Sequence, residues 1–429
     1  MNAPTPADAL VVDRLDAADT RFANALTKRR LRAPLAGNAV TLLQNGPQTH
    51  RAQLQAIAAA RHHVHLETYL ITDGEIGCRY ADALIERARA GVVVRLMLDG
   101  LGAWGAGEDF RRRLLEAGVQ IREFNPVNPF KQPQLWRATR RTHRKTLVVD
   151  GRVAFTGGIN ITDDYRAEPD GSAQGGWRDT HVRIAGPAAS EFQRVFLAYW
   201  ARLGGIDDTR DYFPKLSAAG DTPACALTDQ GEGFIDLWLD GHDADRDLLK
   251  PHNPLRPKYR QSPRIYRAYL DAIHLSRERI RITQAYFAPN GRFIRALIRA
   301  ARRGVNVQLI LPGITDAGLL KYAARQRYSR LMRAGVEIHE YQGNVLHAKT
   351  AVIDGRWSTV GSANLDYRSF FHNDEANAFF VCGRLGARMD AVFEDDLRRS
   401  HRIEPARWKT RGWKSRLLEA FAGSIRWLL

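Results

Sequence analysis

Two stretches of this 429-residue chain carry the same spaced set of reactive side chains. The first holds His143, Lys145 and Asp150, followed by Gly157, Gly158 and Asn160. The second holds His347, Lys349 and Asp354, followed by Gly361, Ser362 and Asn364. A bare His-x-Lys-x4-Asp is expected by chance about 0.02 times in a chain of this composition. The lysines carry extra weight, because the chain has ten Lys against 54 Arg and drift would have supplied arginine at those positions.

These residue types suit phosphodiester chemistry. One imidazole can attack phosphorus and hold a covalent intermediate, while another protonates the leaving alkoxide and later activates the acceptor. Two ammonium groups and carboxamides supply the positive charge that the equatorial oxygens need. This division of labour requires the two imidazoles to start in opposite protonation states. Carboxylates downstream of each motif could tune them, since a carboxylate behind a histidine fixes its tautomer and raises its pKa. They are Asp179, in WRDTHV, and Glu375, eleven residues after Asn364. Asp179 lies much farther from Asn160 than Glu375 does from Asn364, so the two halves need not tune their histidines equally. Asp150 and Asp354 complete the catalytic motifs, but each precedes a glycine at a turn and reads as a structural support.

The surrounding sequence is written twice. ALIERARAGVVVRLMLDG (83–100) answers ALIRAARRGVNVQLILPG (296–313), and EAGVQIREF (116–124) answers RAGVEIHEY (333–341). In each copy a helical stretch precedes a short apolar strand, and another helix ends at Gly91 or Gly304 before a β-branched strand. Such alternation predicts α/β lobes, each a mixed, mainly parallel sheet flanked by helices. His and Lys two apart on a strand share a face, and the Asp-Gly turn returns the chain to bring Asn160 or Asn364 back towards its His. A pseudo-twofold between the lobes would merge the two faces into one shared active site. The domain expectation is an N-terminal helical extension (1–36), a first lobe (37–210), a second lobe (211–400) with an insertion at about 232–262, and a basic amphipathic tail (401–429). An amphipathic pattern at Val11, Leu15, Ala18, Phe22 and Leu26 places the helix in the extension.

Composition narrows the class. With 44% apolar residues the chain can bury a substantial core, and a net charge of +17 favours polyanionic partners such as nucleic acid or an anionic lipid surface. Three scattered cysteines make neither a disulfide framework nor a zinc motif. No apolar run reaches the ~20 residues that a membrane span needs, and the first thirty residues hold no signal-peptide core. Disordered, collagen-like and integral-membrane classes are excluded.

The paired motifs, with HRKTLVVDGRVAFTGGIN, WRDTHVRIAGP, QAYFAPNGRF, RRGVNVQLILPG and STVGSANLDYRS around them, resemble the phospholipase D superfamily. Within it they resemble bacterial cardiolipin synthases, of the shorter B-type that lacks N-terminal membrane helices. The resemblance spans roughly residues 38 to 400. It implies that His143 is the phosphohistidine nucleophile and His347 the general acid/base, roles the duplicated motifs alone do not assign. It also implies transfer of a phosphatidyl group from one phosphatidylglycerol to another with release of glycerol, no metal and no cofactor. Asn160, Ser362 and Asn364 are then expected at the substrate phosphate. Hydrolysis of phospholipid or nucleic acid by the same site is the alternative. The basic residues do not form an aromatic-interleaved nucleic-acid module, so no nucleic acid is expected as partner.

A lipid enzyme must dock, and the expected place is peripheral, on the cytoplasmic face of the inner membrane. The tail offers eight Lys/Arg between Arg398 and Arg416 against one acid, Glu404. Trp408, Trp413 and Trp427, with a stripe at Leu417, Phe421, Ser424, Ile425 and Leu428, would suit an in-plane helix at an anionic leaflet. The competing reading is a terminal helix packed on the second lobe. A second docking candidate is PFKQPQLWRATRRTHRK, with Phe130 and Trp136 beside Arg137, Arg140 and Arg141.

Overall fold

A computed structural model describes residues 17–28, 33–127, 140–172, 174–205, 212–229 and 263–425. The 232–262 insertion, Val11 and Leu15, Phe130, Trp136 and Arg137, and Trp427 and Leu428 lie outside the described residues.

The first half contributes β1 (Leu35–Gln44), β2 (His63–Thr68), β3 (Val93–Asp99), β4 (Gln120–Phe124), β5 (Thr146–Val149), β6 (Val153–Gly157) and β7 (Thr180–Ala185). The second contributes β8 (Thr222–Asp229), β9 (Arg279–Gln284), β10 (Asn306–Pro312), β11 (Glu337–Tyr341), β12 (Lys349–Ile353), β13 (Trp357–Gly361) and β14 (Glu375–Val381), with β15 (Ser400–Arg402) added at its edge. All fifteen join one sheet in the order β15-β11-β10-β9-β12-β13-β14-β8-β1-β7-β6-β5-β2-β3-β4. Reading outward from the β8–β1 seam, both halves run through equivalent strands in the same order. That is the expected pseudo-twofold, but the halves meet edge to edge in a continuous sheet.

The sheet is mixed, as expected, yet it is not mainly parallel. Among the strand ladders, parallel pairing is confined to β2–β3–β4 and β9–β10–β11. Every other ladder is antiparallel. The reason is local: helix crossovers make a parallel pair, whereas the motif strands return through Asp-Gly turns, which can join only antiparallel neighbours. Asp150 and Gly151 have φ of 52° and 63°, and Asp354 and Gly355 have 51° and 63°. Asp and Gly tolerate this left-handed backbone far better than β-branched residues do.

Helices cover the sheet. Tyr80, Leu84 and Phe110 pack on strand residues of the first half, and Tyr269, Phe293 and Leu331 on those of the second. A third cluster crosses the seam, joining Val148, Val182 and Phe192 to Ala224, Val360 and Phe380. Burying each such large apolar side chain contributes roughly 1.5–3 kcal/mol, so the seam is a core. The N-terminal helix (Ala17–Lys28) packs on the second half: Phe22 is buried in that half's core, and Arg21 lies 3.2 Å from Asp354.

The tail is packed over its first part. Trp408 is buried against Tyr328 and donates its indole N–H to Ser329. The helix Trp413–Ser424 turns Ala422 and Gly423 inward, and buried Glu419 is held by Arg411 at 2.8 Å. Its outer face leaves Trp413, Leu417, Leu418 and Phe421 exposed. Among the described residues no helix is long and apolar enough to cross a membrane.

Candidate active site

The two motif histidines sit just before β5 and β12, at the end of the sheet where β2, β3, β9 and β10 terminate. β5 runs antiparallel to β2 with Thr146 opposite Glu67, and the Asp99 carboxylate closing β3 accepts the Thr142 N–H at 2.9 Å. Each entry segment is strapped to the other half. The His143 N–H donates to the Asp374 carbonyl and the Asp374 N–H to the Arg141 carbonyl, both at 2.8 Å. On the twofold-related side, the His347 N–H donates to the Arg178 carbonyl and the Arg178 N–H to the Val345 carbonyl, again at 2.8 Å. Two buried acids anchor the straps: Asp374 pairs with Arg140 and Asp396 with Arg178, each at 2.6 Å.

The straps deliver carboxylates across the twofold. Glu375, after Asp374, lies 3.0 and 3.1 Å from Nδ1 of His143. Asp179, after Arg178, lies 2.8 Å from Nδ1 of His347. Both expected tuning carboxylates are therefore in place, each serving the histidine of the opposite half. A carboxylate only accepts, so each Nδ1 carries the hydrogen and each Nε2 is left with a lone pair.

The lysines complete one charged cluster. Lys145 donates to the His143 carbonyl at 2.7 Å, and Lys349 bonds the His347 carbonyl and sits 2.8 Å from its Nδ1. Burial pushes Lys145 down to about 7, with the ammonium of Lys349 adding to it against the pull of Glu375. Burial likewise lowers Lys349 to about 8, opposed by Asp179 and Glu375 together. Each lysine thus feels the carboxylates of both halves, which is the electrostatic mark of one shared site. Burial lowers His143 to about 4 against the opposing pull of Glu375, and His347 is lowered by burial and Lys349. The carboxylates raise the imidazoles as expected but do not win. Both imidazoles are neutral in the ligand-free site near pH 7, not oppositely charged. Burial alone would raise Glu375 and Asp179, but His143 holds Glu375 down and Lys349 with His347 holds Asp179 down.

Asn160 and Asn364 are buried, and the Oδ1 atom of each lacks a hydrogen-bond partner among the described residues. The unpartnered atom in each is an acceptor, so it is through Nδ2 that either amide could donate to a phosphoryl oxygen. Ser362 is different from expectation: its hydroxyl donates to the Glu375 carboxylate and accepts the Ala376 N–H at 3.0 Å, so it braces Glu375 instead of facing a phosphate. The repeat explains this. Its counterpart is Gly158, where a Cβ would stand 2.3 Å from an Asp179 oxygen. With no room for a serine there, the Tyr165 hydroxyl takes the role, 3.3 Å from Asp179 and 2.8 Å from Nδ1 of His347.

Asp150 and Asp354 stand at the far ends of β5 and β12, separated from the histidines by about 20 Å of extended chain. The Asp150 carboxylate accepts the N–H groups of Arg61, His62 and His63 at 3.0, 2.8 and 2.9 Å. Asp354 accepts those of Arg277, Glu278 and Arg279 at 2.9, 2.9 and 3.0 Å. They pin each hairpin to the chain entering β2 or β9 and do not reach the reacting groups. Their place among the catalytic residues is corrected on that ground.

Several site residues carry no motif. Tyr69 and Tyr286 flank the histidines, with ring centroids 5.1 Å from His143 and 6.1 Å from His347. Trp177 stands 5.5 Å from His347. Beneath the first motif, Glu67 binds Arg144 through both oxygens, and Arg144 lies 3.6 Å over the Tyr199 ring. The strand register aligns Tyr69 with Ala285 and Leu70 with Tyr286, so the repeat itself marks neither tyrosine. Among the described residues, no group of three or more His, Cys, Asp or Glu could hold a metal ion.

The halves defined by these sites coincide with the family match. The model for "Cardiolipin synthase, PLD-like domain" matches residues 54–200 and again 269–397. Cardiolipin synthase of Geobacillus thermodenitrificans is 32% identical over 389 residues, covering 90% of this chain and 72% of that protein. Cardiolipin synthase 2 of Bacillus anthracis is 31% identical over 379 residues, covering 88% of this chain and 68% of that protein. Phosphatidylserine synthase of Haemophilus influenzae shares the fold, with a TM-score of 0.65 at 12% identity, covering 91% of this chain and 95% of that one. With a duplicated histidine–lysine site shared across one sheet, and both copies matched, this chain belongs to the cardiolipin synthase family of phospholipase D-like enzymes.

Proposed function

We propose that the chain joins two molecules of phosphatidylglycerol into cardiolipin, releasing glycerol, through a phosphohistidine on His143. The observation that carries this reading is the crossed pair of carboxylate–imidazole contacts, which leaves two neutral Nε2 atoms in one buried site beside both lysines. Two ammonium groups and two carboxylates cancel there, so an arriving phosphodiester brings an unbalanced negative charge. That charge favours taking up one proton on an imidazole. With His347 protonated, the His143 Nε2 attacks phosphorus, the N–P bond forms, the P–O bond to glycerol breaks, and His347 gives its proton to the departing alkoxide. The hydroxyl of a second phosphatidylglycerol then loses its proton to His347, attacks phosphorus and releases His143. Lys145, Lys349, Asn160 and Asn364 are the donors for the phosphoryl oxygens.

Docking is the second part of the reading. Leu101 and Trp104 are exposed in the loop after β3, Ile314 in the loop after β10 and Leu319 at the start of the helix that follows it. These loops border the histidine end: Tyr286, beside His347, donates its hydroxyl to Asp316 at 2.6 Å. The exposed face of Trp413, Leu417, Leu418 and Phe421 belongs to a helix whose Ala422 packs with Ala288, just beyond β9. Apolar residues of both halves therefore ring the end at which the site opens. Basic residues in the tail add about 1 kcal/mol each near an anionic surface. We place the enzyme peripherally, on the cytoplasmic face of the inner membrane.

The test is incubation of purified protein with phosphatidylglycerol vesicles and EDTA, following lipids and glycerol by mass spectrometry. Cardiolipin with equimolar glycerol is expected. Phosphatidic acid alone would mean that water is the acceptor. The variants His143→Ala and His347→Ala are each expected to abolish turnover, and near-normal rate in either would remove that imidazole from the mechanism.

A further inference from the structure

A cleft on the second half holds five exposed arginines. It opens between the helices Gly291–Arg302 and Gly318–Met332, has a volume of about 610 Å³, and is lined by Arg295, Arg299, Arg302, Arg330 and Arg333, with Ile298 and Ala334. None of the five arginines forms an ion pair with another described residue.

The duplication supplies an internal control. Arg295, Arg299, Arg302, Arg330 and Arg333 align with Asp82, Glu86, Arg89, Arg113 and Glu116 of the first half. There the same cleft is neutralised: Arg113 pairs with Asp82 at 2.8 Å and Arg87 with Glu86. In the second half all three acids have become arginine, so Arg330 faces Arg295 where its counterpart faces a carboxylate. Because the chain uses arginine for nearly all its cations, the residue type says little. The information lies in the placement, which removes every acid from one cleft and keeps the helices around it. Like charges set this close are repulsive unless an anion joins them.

We propose that this cleft binds a soluble anion carrying several phosphates in a row. Arg295, Arg299 and Arg302 share one helix face and span about 10 Å, too far for one phosphate to bridge. Guanidinium groups bind phosphate bidentately, so facing rows suit a linear oligophosphate. The cleft is not the substrate site. Arg302 and Arg333 stand just before β10 and β11, at the strand ends opposite His347, about 20 Å away along the sheet. Nor does it offer a leaflet an apolar anchor, since the exposed Trp, Leu and Phe side chains of this half lie elsewhere.

The probe is inorganic tripolyphosphate, titrated by calorimetry at physiological ionic strength. The comparison variant is Arg295→Asp/Arg299→Glu/Arg333→Glu, which installs residues the fold already accepts in its first half. A charge-matched control carries Arg51→Glu, Arg152→Glu and Arg388→Glu. Saturable binding to the native protein is expected, weakened about tenfold or more in the first variant and within about twofold in the control. Cardiolipin synthesis without tripolyphosphate should be unchanged in both. Equal binding by native protein and cleft variant would overturn the proposal, as would equal losses in the control. Loss of phosphatidylglycerol-vesicle binding in the cleft variant, with no tripolyphosphate binding by native protein, would overturn it in favour of a membrane contact.

Discussion

His143 and Glu375 come from opposite copies of a duplicated unit, yet the carboxylate lies 3.0 Å from the imidazole Nδ1. The reciprocal pair, His347 and Asp179, repeats the relationship at 2.8 Å. Neither half therefore holds a complete site, and the seam is a requirement of the chemistry. Glu375→Gln should lower kcat on the order of 10²-fold, because the tautomer and orientation of His143 lose their anchor while its donors to substrate remain. Asp179→Asn should act comparably on the His347 steps. Rapid-quench measurement of phosphohistidine follows both: formation should slow in each variant, and in Asp179→Asn the acceptor step, which also uses His347, should slow as well. Retention of native kcat by Glu375→Gln would deny the carboxylate its positioning role.

Gly158 offers a sharper test of the asymmetry between the copies. Gly158→Ser would imitate Ser362 in sequence, but its Cβ would stand 2.3 Å from Asp179. The expected result is loss of activity through displacement of Asp179, whereas Ser362→Gly should retain part of it, lacking one brace on Glu375. Melting curves for both variants distinguish local displacement from unfolding.

The pH dependence follows from burial. His143 must be neutral to attack and is held at about 4, while Lys145 and Lys349 must be protonated and are held at about 7 and 8. In kcat/KM, which reports free enzyme, the alkaline limb should begin near pH 7 and rate should fall as pH rises. In kcat the same limb should move upward, because bound phosphate stabilises the ammonium forms. Folding stability has its own signature. The unfolded chain binds the His143 proton below about 6.5, the folded chain only below about 4, so stability falls as pH drops through that window. The contribution is roughly 3 kcal/mol. Denaturant midpoints of His143→Gln should therefore decline less between pH 7 and pH 4 than those of the native protein.

Much of this site was legible in the sequence because it is written twice. The matched His, Lys and Asn positions, the two tuning carboxylates and the turn role of Asp150 and Asp354 needed only spacing and residue chemistry. The crossing did not follow, because sequence distance favours a carboxylate serving its own copy and nothing local marks a strap made by backbone bonds. Tyr165 was missed for another reason: its Asp-Tyr-Arg triplet (164–166) recurs at 366–368, and nothing in it marks a role at one histidine only. The one clue was the Gly158–Ser362 mismatch, which asks what replaces the missing hydroxyl. The parallel share of the sheet was overestimated because the helix–strand units are conspicuous, whereas β1, β7, β8 and β14, which build the seam, sit outside that alternation. Depressed histidines were also beyond reach, since burial depends on packing that motifs do not encode.

Asp150→Asn should cost stability, on the order of 1–3 kcal/mol, while leaving the rate per folded molecule nearly native. The side chain accepts three backbone N–H groups at the foot of β2, and an amide can accept with one oxygen only. Denaturant titration combined with activity normalised to folded protein checks it. A collapse of kcat in fully folded Asp150→Asn would return the residue to the reacting set.

The apolar ring around the site predicts a separation between binding and chemistry. Trp413, Leu417 and Phe421 are exposed, so replacing all three with serine should leave the melting temperature almost unchanged, surface substitutions being worth within about ±0.5 kcal/mol. Sedimentation with phosphatidylglycerol vesicles should weaken markedly, and Trp104→Ser should weaken it further from the other half. Turnover of a short-chain, monomeric phosphatidylglycerol should persist, because no residue of the ring touches the histidine–lysine cluster. If vesicle binding survives all four substitutions, the histidine end does not face the leaflet and substrate must reach the site by another route.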